Sequence, residues 1–508
     1  MYNYFMNNKR DSGILLPLFS LPGKYGIGTL GKSAYKFIDF LKECGFSYWE
    51  LLPLNPINND NSPYNTSDAF AYNYLYIDLE MLVDEKLLTS RDFQNVDFGN
   101  DATKINYSLL FKNRKDVLYK AFRRDDLDNK YFKECLDNND LKDYVLYMCL
   151  KEKNNFKPWY NWKLEDRYYS EDLIDIVTKE FDKKYKFYIW TQAKFLQQWH
   201  KLHEYAKSNG IELIGEIPHF LGYDSTQMYI HPELFLVDKR NQITHVSGFP
   251  PDEFSKVGQK WGNPLYDWDY IKQDGYKWWN RRIDNALKMF DYVKLNHFRA
   301  FYQTYAVPFR AINAKHGEYV FGPKKDFFLD KLDSNLIASD LGKYDEAITD
   351  FVNDLPYPVL RTTILGFTKN SISDNEKFLP TNLPSNSYSY IGNHDNNPLI
   401  LTLYDMNKDE FNSFKKILEK ECNKLNLDFN KNEKSIKYYA YKTIESLFAS
   451  DANHITLQIQ DVLLTRNVMR TNCPGTVNNN NWSYRILSTD LNKNIVSKFK
   501  EYNSKYNR

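Results

Sequence analysis

Cysteine is scarce: Cys44, Cys135, Cys149, Cys422 and Cys473 are the five in 508 residues, and no two stand in a CxxC spacing. An odd, scattered set argues against a disulfide framework and leaves no legible zinc site; it points to reduced thiols and a cytoplasmic protein. Charge of one sign is missing as well. Lysine plus arginine (67) against aspartate plus glutamate (66) leaves a formal net charge of +1, so nothing electrostatic favours nucleic acid or an anionic membrane as partner, and a neutral ligand is expected. Long apolar runs are absent too. A run of six residues near the N-terminus is broken by Pro17, too short for a signal-peptide core, and no later segment approaches membrane-spanning length. Neither GxGxxG nor GxxxxGK[ST] occurs to cradle a phosphate, and "KVGQKWGNP" has glycines without a strand–helix context. His200 and His203 in "WHKLH" lack the glutamate of an HExxH motif and read as a surface or half-buried pair.

What is plentiful is aromatic: 17% of the chain, with 40 tyrosines and 10 tryptophans, many in turn-rich stretches such as "SPYNTSDAFAYNY" and "NPLYDWDY". Amphipathic rings suit the apolar faces and hydroxyl rims of sugars, although aromatic cores produce the same composition.

Short apolar runs ending in polar clusters recur along the chain: "YWELLPLNP" (48–56), "IELIGEIPHF" (211–220), "DYVKLNHFRAF" (291–301), "SNLIASDLG" (334–342), "YPVLRTTILGF" (357–367) and "SYSYIGNHDN" (387–396). They read as buried parallel strands with the chemistry at their C-terminal ends. Helical stretches separate them, the clearest from about Tyr188 to Asn209, where Ile189, Ala193, Leu196, Trp199, Leu202 and Ala206 recur at helical spacing and Gly210 supplies a stop. This alternation predicts an α/β chain with a TIM (β/α)8 barrel and inserted, mainly helical subdomains. A doubly wound sheet is the alternative, but it lacks a phosphate cradle. The barrel is expected to span residues 1–508 as one domain, with a charged, lysine- and asparagine-rich helical insertion at 84–188 and a final helix in "NKNIVSKFKEYNSKYNR".

Glycoside chemistry needs two carboxylates flanking the scissile bond, about 5–5.5 Å apart in retaining enzymes. Of the acids at strand ends, Asp395 in "GNHDN" qualifies, with a turn-forming Asp-Asn as the plain alternative. Across almost its whole length the chain resembles the amylomaltase, or 4-α-glucanotransferase, family. The similarity lies in "SGILLPLFSLPGKYGIGTLG" (12–31), "SPYNTSDAFAYN" (62–73), "DSTQMYIHPELF" (224–235), "SGFPPDEFSKVGQKWGNPLYDWD" (247–269), "HFRAFYQTYAVP" (297–308), "GNHDN" (392–396) and "RTNCPGTVNNNNWSYR" (470–485).

The resemblance implies transfer of α-1,4-glucan segments between maltooligosaccharides through a covalent glycosyl-enzyme, with no cofactor and no metal. It also implies "RIDHFRG" where this chain has "KLNHFRA", placing Asn296 at the nucleophile and Lys294 at its arginine neighbour. Where it implies "AEDLG" this chain has "ASDLG", so Ser339 falls at the acid/base; Asp395 matches the third acid. Ser62, Tyr64, Asp224, Gln259, Trp261, His297 and His394 match sugar-contacting positions, with Gln259–Trp261 on a loop over the cleft. Neighbouring acids are not expected to substitute. Asp340 alternates away from whatever Ser339 faces, and Asp291 lies about 16 Å back along its strand. A protein that binds α-1,4-glucans or maltooligosaccharides with little or no turnover is therefore expected. The alternatives are an active or residually active enzyme, a deliberately silenced form of one, and a scaffold kept for protein contacts.

Overall fold

The computed structural model describes residues 9–252, 255–339, 346–368 and 375–508. Twelve strands are present among these residues: β1 (Asp11–Leu15), β2 (Tyr48–Glu50), β3 (Glu212–Ile217), β4 (His245–Phe249), β5 (Gln259–Pro264), β6 (Tyr292–Leu295), β7 (Gln303–Pro308), β8 (Glu318–Phe321), β9 (Leu336–Ala338), β10 (Val359–Thr362), β11 (Ser387–Tyr390) and β12 (His454–Gln458). Eight of them form a closed barrel in the order β1-β12-β11-β10-β9-β6-β3-β2, every pairing parallel. The six apolar runs of the sequence supply β2, β3, β6, β9, β10 and β11. The remaining pair, β1 and β12, forms the seam that closes the barrel, with Asp11 opposite His454.

Barrel strands are buried on both faces, which explains their near-continuous apolar character. Crowding inside is severe: a Cβ at Gly13 would meet the Tyr48 ring at 2.0 Å, so glycine lets the aromatic lie against the neighbouring backbone. A second, antiparallel sheet in the order β5-β4-β7-β8 is built between β3 and β9 of the barrel. Periodicity does not announce it, because β5 is the glycine-interrupted "QKWGNP", with Gly262 at φ +88°, and the β4–β5 register is irregular.

Between 84 and 188 the chain carries the helices Tyr107–Phe122, Lys130–Asp137, Asn139–Lys153 and Asp172–Glu180. The long helix spans Asp182–Ser208, starting earlier than its apolar periodicity indicates, because Tyr185 and Phe187 are already buried in its first turns. It stops at Gly210, φ +73°, where Ile211 N–H closes on Ala206 O at 2.9 Å. The terminal helix is Lys493–Lys505. Among the described residues no helix is long and apolar enough to cross a membrane, and no group of His, Cys, Asp and Glu is placed to hold a metal ion.

Candidate functional site

The site lies where β3, β6, β9 and β11 run out at one end of the barrel. Asn296 follows β6 directly, and its N–H continues the ladder to Ile217 O at 3.0 Å. The next residue, His297, takes φ +49°, a left-handed backbone rarely adopted by non-glycine residues, and turns the chain into the short helix Phe298–Phe301. Ser339 follows β9, beside Asn296: its N–H reaches Leu295 O at 3.2 Å, and its carbonyl accepts from Phe298 N–H at 3.0 Å. Asp340 lies outside the described residues. Asp291 accepts from Leu213 N–H and pairs with His203, at the end of the strands where β3 begins and away from the site.

Tyr64 joins these positions to Asp395. Its hydroxyl donates to Glu216 at 2.8 Å, and Glu216 in turn accepts from Asn296 Nδ2 at 2.9 Å. The Tyr64 ring stacks on His394 at 5.1 Å and tilts against Trp482. Burial, then the charges of Glu216 and Asp395, push the Tyr64 phenol well above its ordinary range, so it stays a donor. Asp395 is one-third exposed and is held by Asn472 Nδ2 at 2.7 Å, while Arg470 donates to its backbone carbonyl. His394 Nδ1 is buried with no hydrogen-bond partner among the described residues.

On the other side of the mouth, Trp261 is 40% exposed and stands edge-on to His297 at 5.3 Å, with Phe220 beside both. Gln259 Oε1 accepts from the Trp261 indole at 3.1 Å, so it orients the ring. The closing segment also reaches this point, a Cβ at Gly475 lying 4.0 Å from Gln259 Oε1. Burial, then Arg299, push the His297 imidazole down to about 3; it is neutral at ordinary pH and able to donate and accept hydrogen bonds. Ser62 Oγ accepts from Tyr64 N–H at 3.2 Å and shapes the loop that presents the tyrosine. Asp224 is engaged elsewhere: Lys151, Tyr147 and the N–H of Trp159 take up its oxygens, fastening the helix Asn139–Lys153 to the barrel mouth.

Two acids not singled out from the sequence underlie the site. Glu50 and Glu216 have side chains with no solvent exposure and share Lys294 between them. Lys294 Nζ lies 3.1 Å from Glu216 and also donates to Glu50, whose second oxygen accepts from Tyr388, at 3.0 Å, and Tyr390. Burial alone would lower the Lys294 ammonium, but Glu216 and Glu50 outweigh it and raise it above the usual lysine range. At the mouth itself Asp395, Asn296 and Ser339 offer a carboxylate, an amide and a hydroxyl, flanked by aromatic faces. That set can bind and orient a polyhydroxylated ligand, but Asn296 and Ser339 supply neither a nucleophilic carboxylate nor a general acid near neutral pH.

Comparison with known proteins gives one consistent answer. A family model described as 4-alpha-glucanotransferase matches residues 16–490. A 4-alpha-glucanotransferase of Aquifex aeolicus is 35% identical over 486 residues, covering 94% of this chain and 95% of that one. One of Clostridium butyricum is 33% identical over 501 residues, covering 96% and 99%. Among solved structures, the amylomaltase of Streptococcus agalactiae in complex with acarbose superposes with a TM-score of 0.90 at 30% identity, covering 98% of this chain and 100% of that one.

Proposed function

Because the chain belongs to the 4-alpha-glucanotransferase family, we propose that it binds linear maltooligosaccharides at the barrel mouth and turns them over little or not at all. The observation that carries this reading is the pairing of an assembled cleft with altered chemistry. Tyr64, His394, Trp261 and His297 are gathered at one mouth, where aromatic faces and neutral hydrogen-bonding groups suit glucose rings. A retaining mechanism needs a nucleophile and an acid/base on either side of the glycosidic bond. The positions assigned to them by motif are Asn296 and Ser339. Glu216 touches Asn296 but is sealed behind it, without exposure to a substrate.

The test pairs two measurements on one preparation checked by mass for deamidation of Asn296: calorimetric binding of maltoheptaose and disproportionation of maltotriose. Binding without turnover is expected. Turnover at about 1–10³ per second, the range of ordinary enzymes, would mean that another acid does the work. Asn296→Asp with Ser339→Glu is expected to recover transfer, and either change alone to recover little, because nucleophile and proton donor are each indispensable.

A further inference from the structure

The surroundings of Asn296 constrain what can stand there. Glu216 has no exposed side-chain surface. One of its oxygens accepts from Asn296 Nδ2 at 2.9 Å, and the other accepts from Tyr64 at 2.8 Å and faces Lys294 at 3.1 Å. Lys294 is also the partner of Glu50, so two buried carboxylates already share one ammonium. The other titratable groups around them are Tyr388 and Tyr390 of β11 and Tyr48 of β2, with Asp395 and His394 beyond the Tyr64 ring. Among the described residues, Lys294 is the one cation in contact with either glutamate.

We infer that Glu216 is a positioning residue for residue 296: it orients the Asn296 side chain by accepting its Nδ2 proton, and it opposes a carboxylate at that position. The inference rests on reading position 296 as that of the nucleophile. A carboxylate replacing the amide would put two acceptor oxygens about 2.9 Å apart at a part-buried position, beside two buried acids that already exceed their shared ammonium by one negative charge. Like charges at that distance do not both ionise readily; the pair holds a proton, and the new acid is a poor nucleophile until that proton leaves.

The hydrogen bond can be inverted without changing its shape. Asn296→Asp combined with Glu216→Gln moves the carboxylate from strand β3 to the end of β6. The amide nitrogen at 216 then donates to residue 296, while its oxygen still accepts from Tyr64 and Lys294. Formal charge is unchanged.

The first measurement is the thermal midpoint of the parent, Asn296→Asp, Glu216→Gln and the double variant between roughly pH 5 and pH 8.5. A proton held in the folded state and released on unfolding makes stability fall as pH rises. Asn296→Asp is therefore expected to lose midpoint progressively with pH, and the double variant to track the parent. The second measurement is maltotriose transfer in a Ser339→Glu background. There the acidic limb of kcat/KM for Asn296→Asp is expected about one pH unit higher than with Glu216→Gln added. A pH-independent midpoint for Asn296→Asp, or equal losses in the single and double variants, including failure of both to fold, would overturn the inference. Turnover by the parent would overturn the proposed function, whereas the midpoint comparison tests Glu216 independently of it.

Discussion

Replacing Lys294 by methionine removes the shared cation from a cluster built around two buried acids. Lys294→Met matches the four-atom apolar stem and drops the terminal ammonium, so the loss is mainly that of the charge. Glu50 and Glu216 have no exposed side-chain surface, and leaving a buried charge without its partner costs about 3–5 kcal/mol. Since one ammonium serves both acids, the upper end applies. For a chain of 508 residues, with an unfolding entropy of roughly 2.1 cal/mol/K per residue, 5 kcal/mol corresponds to a drop of about 5 °C in the thermal midpoint. The sign of the pH dependence also follows. In the parent, the raised Lys294 ammonium contributes stability that is fully present below the ordinary lysine range and is lost only as pH rises through its higher folded value. Between about pH 5 and 9 its contribution is level. In the variant, burial without a cation favours protonated carboxyls in the folded state, so the deficit widens as pH rises. Calorimetry at several pH values reads both effects. Adding Glu50→Gln and Glu216→Gln removes the stranded charges and should return most of the lost midpoint. A loss below about 1 °C, or one independent of pH, would refute the account.

Trp261→Ala should weaken maltoheptaose binding about tenfold to a hundredfold, or 1.4–2.8 kcal/mol, by calorimetry; its ring is 40% exposed, so the thermal midpoint should hardly move. His231, between Asp143 and Glu233, is raised to about 9 because those hydrogen bonds outweigh burial, which alone would lower it. The midpoint advantage of the parent over His231→Phe should be complete below about pH 6.5 and should vanish as pH rises through about 9.

Much of the barrel is legible in the sequence because parallel strands buried on both faces are rich in apolar and aromatic residues, and six such runs end in polar clusters. The other two strands escape that pattern for a physical reason: β1 carries Asp11 and Ser12, and β12 carries His454 and Thr456, polar side chains whose partners lie far away in sequence, Asp11 with His454, Ser12 with Asn503 and Thr456 with Tyr48. The antiparallel sheet is hidden by the glycine that interrupts β5, Gly262, and by the irregular β4–β5 register. At the site, the motifs lead to Asn296, Ser339, Tyr64, His394 and Trp261, but motif matching passes over Glu50 and Glu216. A signal is present, since a glutamate inside "YWELL" or "IGEIP" interrupts an apolar strand and must find a buried counter-charge. That the counter-charge is Lys294, shared by both, depends on strand order around the barrel.

The β1–β12 seam also sets the order in which the molecule can be made. Asp11 and His454 hydrogen-bond at 2.7 Å across 443 residues of sequence. At typical synthesis rates, about 5–20 residues per second, the second strand leaves the ribosome on the order of 20–90 s after the first. Until then β1 has β2 on one side and an unpaired edge on the other, the condition under which strands find wrong partners. Asn472, which clamps Asp395, emerges later still. The proposed cleft is thus among the last parts of the chain to be completed. A ribosome that stops before β12 would release not a barrel missing its rim but an open sheet with two bare edges.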